Sequence, residues 1–423
     1  MLLQFSFQNY KSFRDTVVLD MSATKITEFS DRVISIGNEK ILPVSAIFGA
    51  NASGKSNVYA AFRFMASYVM QSFAFGGESG DKKRESLLKP MPFLFDDASA
   101  NAESTFEVYF IDDEENGAKT YHYGFVLGKE GVAEEWLNSA AKTSRGKFRR
   151  IFYRNTREQE LDLSGLPAKS RNNIMISLEP ETLIVSLGAK LKIEKLKFVR
   201  DWFGNLNFAD FGQPFENLVI SRMVPRNFDT DETVRRKMVR YLSSFDSSII
   251  DFQVEKSAKD ETVYQNIYSV HKMIHSDQTV RIPLEEESAG TLKMFSLYPV
   301  LQNVLETGGV LFIDELNARL HPLLVRSFLI TFLNPEINPH HAQLLFTTHD
   351  AWTLNSHMLR RDEIWFTEKD TDGVSTLYSL ADFMDEDGEK IRKEENYEKN
   401  YLLGKYGAIP SLKSMELLKE ESA

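Results

Sequence analysis

The chain has 423 residues, 42% hydrophobic and 26% charged, with a net charge of −11 and an isoelectric point near 5.4. That length allows two or three domains and a sizeable core, while the acidic balance excludes a uniformly basic nucleic-acid coat, though not a local patch. Zero cysteines exclude disulfides, cysteine-ligated zinc and thiol catalysis together, and no apolar run is long enough to span a bilayer.

The first segment, "MLLQFSFQNYKSF", alternates apolar and polar residues like a strand. It lacks the basic start and cleavage site of a signal peptide, so the cytoplasm is the expected compartment. Further strand-like segments and polar turns lead to residue 50. There "LPVSAIFG" reads as a buried strand and "KSNVYAAFRFMASYVM" as a helix, with Val58, Phe62, Met65 and Val69 at helical spacing. Between them run Gly49, Ala50, Asn51, Ala52, Ser53, Gly54, Lys55, Ser56 and Asn57. The spacing Gly49-x-x-x-x-Gly54-Lys55-Ser56 between strand and helix is that of a phosphate-binding P-loop. Glycines let the backbone wrap closely around phosphate oxygens with its N–H groups pointing inward, and the helix N-terminus adds its positive end. Lys55 supplies a mobile charge for the β- and γ-phosphates and Ser56 a hydroxyl ligand for Mg²⁺. The expected ligand is a nucleoside triphosphate.

From about 78 to 104 the chain is polar and irregular around the apolar island "PMPFLF". "TFEVYFI" and "TYHYGFVLG" then read as a hairpin across "DDEENGAK", and "EEWLNS" and "RRIFYRN" continue the antiparallel pattern. Two basic runs stand out. One is "KTSRGKFRRIFYRNTR", with Lys142, Arg145, Lys147, Arg149, Arg150, Arg154 and Arg157; the other is "VRRKMVR", with Arg235, Arg236, Lys237 and Arg240 on a helix. The ordinary reading of such runs is a solvated face, and the functional one is nucleic-acid contact. Residues 160 to 275 are mostly helical in period and sustain no heptad repeat.

In "IPLEEESAGTLKMFSLYPVLQ", Ser288 is placed to N-cap a helix, and with Gly290 and Thr291 it offers an anion site at the helix start. "GGVLFIDELNARLHP" runs through an apolar strand, Val310 to Ile313, and ends in Asp314 and Glu315. Ligands of open α/β sheets bind just beyond the strand C-termini. Asp314 there can hold Mg²⁺, mostly through water, and Glu315 can polarise the attacking water. "AQLLFTTHD" repeats the logic, with His349 aimed at the γ-phosphate if its strand neighbours that of Asp314. A polar tail follows residue 367.

P-loop, "SAGT", "FIDEL…LHP" and "TTHD", in that order, resemble the ABC-type ATPases of the SMC/RecF kind. They resemble especially the stand-alone bacterial AAA-family ATPases encoded beside phage-defence and restriction loci, the RloA/AriA-like group. "FQNYKSFRD", "PFLFD", "STFEVYF", "YHYGFVL", "LRRDEIWFTEKD" and "YLLGKYGAIP" extend the resemblance over nearly the whole chain. It implies an α/β P-loop NTPase fold of the ABC-ATPase head type, a mixed sheet with an antiparallel lobe and a helical insertion. The implied domains are an N-terminal ATPase lobe over 1–160, the insertion over 161–275 and a C-terminal lobe over 276–423.

By the same resemblance, Gly49, Gly54, Lys55 and Ser56 match Walker A, Asp314 Walker B, Glu315 the catalytic glutamate and His349 the switch histidine. Ser288, Gly290 and Thr291 match the signature loop, which in this family reaches the γ-phosphate held by the opposite subunit. The implied activity is hydrolysis of ATP with Mg²⁺ in a head-to-tail dimer or higher homo-oligomer. The implied role is sensor or scaffold in anti-phage defence, controlling a separate effector such as a nuclease, with no membrane partner. The alternative is a RecF-like repair or chromosome-maintenance ATPase, contacting DNA or RNA through the basic runs. Asn317 stands where the family often has Asp in the loop that communicates across the dimer. No glutamine matches the Q-loop well, Gln159 included. The chain has neither the long coiled coil of SMC-like relatives nor the nuclease domain that follows the ATPase in OLD-type ones, so it is not expected to cut nucleic acid itself.

Overall fold

Alternation in β1 (Leu2–Gln8) decides the first layer, since Phe5 and Phe7 fall on one face and both are buried. The structure, a computed structural model, describes residues 1–74, 89–112, 118–141, 147–213, 224–225, 227–259, 262–384, 388 and 390–410. In chain order β1 is followed by β2 (Val17–Asp20), β3 (Ile34–Ile36), β4 (Glu39–Ile41) and β5 (Val44–Gly49). Helices α1 (Lys55–Gln71) and α2 (Asp97–Asn101) precede β6 (Ser104–Asp112), β7 (Lys119–Gly128), β8 (Gly131–Ala141), β9 (Arg149–Asn155) and β10 (Glu160–Asp162). Strands β10-β9-β8-β7-β6-β1-β2, in that spatial order, make an antiparallel sheet of seven.

The next segment carries α3 (Ala168–Ser177), α4 (Ile184–Lys190), α5 (Glu194–Gly204), β11 (Leu206–Asp210) and α6 (Glu232–Ser243). Then come β12 (Ile249–Lys259), β13 (Thr262–Lys272), β14 (Thr279–Pro283), α7 (Ala289–Thr307), β15 (Val310–Asp314), α8 (Pro322–Leu333) and β16 (Gln343–Thr347). The last described elements are β17 (Ile364–Lys369), β18 (Ser375–Ser379) and α9 (Tyr397–Leu402). A second sheet has the order β11-β15-β16-β5-β17-β18, parallel except for β18. Its three middle strands, β15, β16 and β5, are buried at every residue. Sheets covered on both faces read as continuous apolar runs for this reason.

Helix α1 is the filling between the two sheets. Phe62 stacks on Phe5 of the antiparallel sheet at 4.5 Å, and Tyr59 meets Phe312 of β15 edge-on at 5.2 Å. A helix apolar on both sides has to be buried. The far face of the parallel sheet is covered by α7 and α8, through Phe295, Leu297, Phe328 and Leu329.

The interval 161–275 holds helices α3 to α6, but they do not fill it. Strand β11 leaves it to join the parallel sheet beside β15, and β12, β13 and β14 form an antiparallel sheet of their own. In β12, Phe252 is buried and Val254 half-buried while Gln253 and Glu255 are exposed, a period of two that a helical reading of this stretch passes over. Most of the turn "DDEENGAK", and Lys142 and Arg145 of the first basic run, lie outside the described residues. Among the described residues no helix is long and apolar enough to cross a membrane.

Candidate functional site

The P-loop leaves β5 and enters α1 through Gly54, whose φ is +120°. A Cβ there would lie 2.8 Å from Ser375 Oγ and 3.0 Å from Phe13 Cζ, so both the backbone angle and the space demand glycine. Asn51, Ala52 and Ser56 are exposed, Ala50 and Asn57 half-buried, and Ser53 buried. Ser53 Oγ shares a 2.5 Å hydrogen bond with Thr367 Oγ1 of β17. Asn57 Nδ2 donates to Ser12 Oγ at 2.8 Å, which also receives the Ser375 hydroxyl at 2.8 Å. The turn after β1 and strand β18 therefore brace the loop from outside.

Lys55 is only 4% exposed, and its Nζ curls back to donate to Gly49 O at 2.9 Å and Ala50 O at 3.1 Å. Burial lowers its pKa, against the opposing pull of Glu315 and Asp314. The ammonium thus rests on the mouth of the loop, held by two backbone carbonyls.

Strands β15 and β16 are parallel neighbours, and β5 lies next to β16, so three strand ends converge. The Thr347 hydroxyl organises the two acids: it accepts from Glu315 N–H at 2.8 Å and donates to Asp314 Oδ1 at 2.5 Å. Burial raises the pKa of Asp314, while hydrogen bonds from Thr347 and Ser56 and the charge of Lys55 oppose the shift. Glu315 adopts φ +55°, the left-handed region, at a cost of roughly 1–3 kcal/mol for a residue with a Cβ. That turn sends its carboxylate away from Asp314 and toward His349, where Oε2 and Nδ1 are 2.9 Å apart. Asn317 Nδ2 lies 3.2 Å from His349 Nε2, and Asn317 Oδ1 accepts from Thr348 Oγ1 at 2.7 Å.

Two participants were not found in the sequence. Thr347 is one, hidden in an apolar strand. Lys11 is the other: it is half-buried, burial lowers its pKa, and the charge of Asp314 opposes that shift. The signal for it was the run "NYKSF", where Asn9 and Lys11 both take positive φ in the turn after β1.

Ser288 N-caps α7, its Oγ accepting from Thr291 N–H at 3.1 Å and pairing with Thr291 Oγ1 at 2.8 Å. A Cβ on Gly290 would approach Arg319 O at 3.5 Å, so the helix start lies beside the loop that follows Glu315. Among the described residues no hydrogen bond joins Ser288, Gly290 or Thr291 to the P-loop. Gln159 sits in the turn between β9 and β10, at the edge of the antiparallel sheet.

For a divalent cation, the described residues offer no group of three or more His, Asp or Glu. They offer the Ser56 hydroxyl, whose polarity favours the anionic form of the buried Asp314 carboxylate. That donor set fits Mg²⁺, which keeps waters and takes its remaining ligands from substrate phosphates. Much of the basic runs is engaged within the chain. Arg154 is buried and donates to Thr182 O at 2.9 Å, Arg157 pairs with Glu103, Arg150 lies 3.5 Å from Glu160, and Arg236 lies 2.6 Å from Glu232.

A family model described as "AAA domain, putative AbiEii toxin, Type IV TA system" matches residues 44–355. No curated protein matches the chain. Among solved structures it is similar to one described as "Crystal structure of the SmcHead bound to the C-winged helix domain of ScpA", at 14% identity over 89% of this chain and 97% of that one, with a TM-score of 0.44. It is also similar to "Structure of the recombination mediator protein RecF-ATP in RecFOR pathway", at 12% identity over 89% and 97% of the two chains, with a TM-score of 0.30.

Proposed function

The chain belongs to the AAA-domain family whose model spans residues 44–355, and from that membership we propose an ATP-hydrolysing switch of the ABC head type that closes as a head-to-tail dimer around ATP. The observation that carries this reading is the convergence of Lys55 and Ser56, Asp314 and Glu315, and His349 at the ends of three adjacent parallel strands. Lys55 exchanges the Gly49 and Ala50 carbonyls for phosphate oxygens, and the loop's N–H groups and the α1 N-terminus hold the rest. Ser56 and Asp314 would hold Mg²⁺, which would supply charge neutralisation for phosphate oxygens. Glu315 orients the attacking water and takes its proton, with His349 bonded to its other side.

The start of α7, with Ser288, Gly290 and Thr291, lies beside the loop that follows Glu315, and we take these residues to serve the nucleotide of a second protomer. Closure that depends on the γ-phosphate is then a two-state device. The family's description names a toxin and a toxin–antitoxin system, which supports a role beside a second component. We assign the chain as the sensor or scaffold of an anti-phage system that controls a separate effector. The RecF-like reading stands on the exposed Lys147 and Arg149; DNA binding that weakens steeply with salt would favour it.

The test mixes Ser288→Arg chains with Lys55→Ala chains. Each alone is expected to be inactive, and mixed dimers to recover part of the ATPase, because one of their two sites has both elements intact. Demonstrated mixed dimers with no activity, or a Ser288→Arg monomer that hydrolyses normally, would overturn the shared site.

A further inference from the structure

The loop after β15 holds a chain of hydrogen bonds whose directions are set from one end. The Asp350 N–H donates to Thr348 Oγ1 at 3.0 Å. Thr348 is fully buried, and the only acceptor among the described residues for its own proton is Asn317 Oδ1, at 2.7 Å. Rotating the Asn317 amide would leave that hydroxyl proton unpaired in the interior, a loss of about 1–3 kcal/mol. The amide is therefore oriented with Oδ1 at Thr348 and Nδ2 at His349.

An amide nitrogen only donates. At 3.2 Å from Nδ2, His349 Nε2 must accept, so the single proton of a neutral imidazole sits on Nδ1. Glu315 Oε2 receives it at 2.9 Å. We propose that Asn317 is a positioning residue that holds His349 as the neutral Nδ1–H tautomer, aimed at Glu315. Its role in turnover rests on the reading of Glu315 as the carboxylate that activates water.

An aspartate at 317 would reverse the arrangement. A carboxylate can accept from Thr348 but can only accept from the imidazole as well, so Nε2 must carry a proton. The Nε2–H then faces residue 317, and the Nδ1–H that Asn317 holds toward Glu315 is no longer enforced.

The experiment uses the full chain without nucleotide, labelled with ¹⁵N-histidine. Long-range ¹H–¹⁵N spectra report which imidazole nitrogen is protonated, and the His349→Gln variant identifies the resonance. The wild type is expected to carry the proton on Nδ1 alone. Asn317→Asp is expected to add a proton on Nε2, and Thr348→Val, which keeps the shape but removes the orienting hydroxyl, to mix the two tautomers. In Asn317→Asp, kcat is expected to fall by at least about tenfold while the Kd for ATP stays unchanged. A wild-type proton on Nε2, or variants that keep the wild-type tautomer, would overturn the assignment. A changed tautomer with unchanged kcat would overturn the positioning role. If the wild type hydrolyses no ATP, the functional reading fails while the spectra still decide the tautomer.

Discussion

Glu287 Oε1 lies 2.7 Å from His271 Nε2, so the residue that precedes Ser288 is pinned to the β12–β14 sheet. Ser269 also donates to that carboxylate, and Ser248 Oγ lies 3.1 Å from His271 Nδ1. The side chains of His271 and Glu287 are 13% and 10% exposed, which shields their interaction from solvent. A small separate sheet thereby sets where the start of α7 points.

His271→Ala is expected to loosen Ser288 without touching the P-loop. ATP affinity, read by calorimetry, should hold, while ATPase turnover drops several-fold; His271→Gln, which can still donate to Glu287, should restore part of it. Full turnover in the alanine variant would show that the clamp does not matter to the reaction.

Gly54 is the sharpest test of the loop. A methyl group there meets Ser375 Oγ at 2.8 Å on a backbone held at φ +120°. Gly54→Ala is expected to cost roughly 1–3 kcal/mol of stability from the backbone angle alone, and to abolish nucleotide binding because the loop must open to relieve the clash. Thermal unfolding and calorimetry check the two halves. An alanine variant that binds ATP normally would mean the loop does not use this conformation.

The strand–loop–helix around Lys55 and the strand ending in Asp314 were legible because their information is local. Strand, glycines, Lys55 and helix follow one another, and so do the apolar strand and its terminal acids. What joins the two was not. Thr347 touches Asp314 and Glu315 only because β16 lies beside β15, and Lys11 feels the charge of Asp314 only because the fold brings the turn after β1 near the end of β15. The bond from Asn317 to His349 likewise needs two strand ends side by side. The β12–β13 hairpin was missed for a different reason. Its period of two is broken at Ile249 and Asp251, where the register shifts, and the stretch follows a strong helix in α6.

Glu135 makes stability depend on pH. It is fully buried under α4, accepting from Ile184 N–H at 2.6 Å, Val185 N–H at 3.2 Å and Tyr123 OH at 3.0 Å. Burial nonetheless pushes its carboxyl from 4.5 up to about 7, although those bonds and Arg154 pull the other way. Between these two values the folded chain keeps a proton that the unfolded chain has released. Its contribution to stability therefore falls as pH rises through the window, by at most about 1.4 kcal/mol per pH unit, and levels off above it. Glu135→Gln has no such titration. Urea unfolding at pH values across the window should show wild type losing ground to the variant; parallel curves would mean that Glu135 titrates normally.

Glu315→Gln separates binding from chemistry. Glutamine keeps the size of the side chain, and its amide oxygen can still accept from His349 Nδ1–H, so the local turn and the P-loop should stand. It can hold a water but cannot take the water's proton. Loss of a general base commonly costs about 10²–10⁴ in rate, and the variant is expected to bind ATP with wild-type affinity while turnover falls within that range. Because nothing then discharges the γ-phosphate, a closed ATP-bound dimer should accumulate and be visible by light scattering after gel filtration. Lys55→Ala supplies the contrast: it removes the cation that rests on the loop carbonyls, so it should lose ATP binding itself and stay open. If Glu315→Gln turns over at the wild-type rate, Glu315 is not the base, and His349, 2.9 Å away, becomes the next group to test.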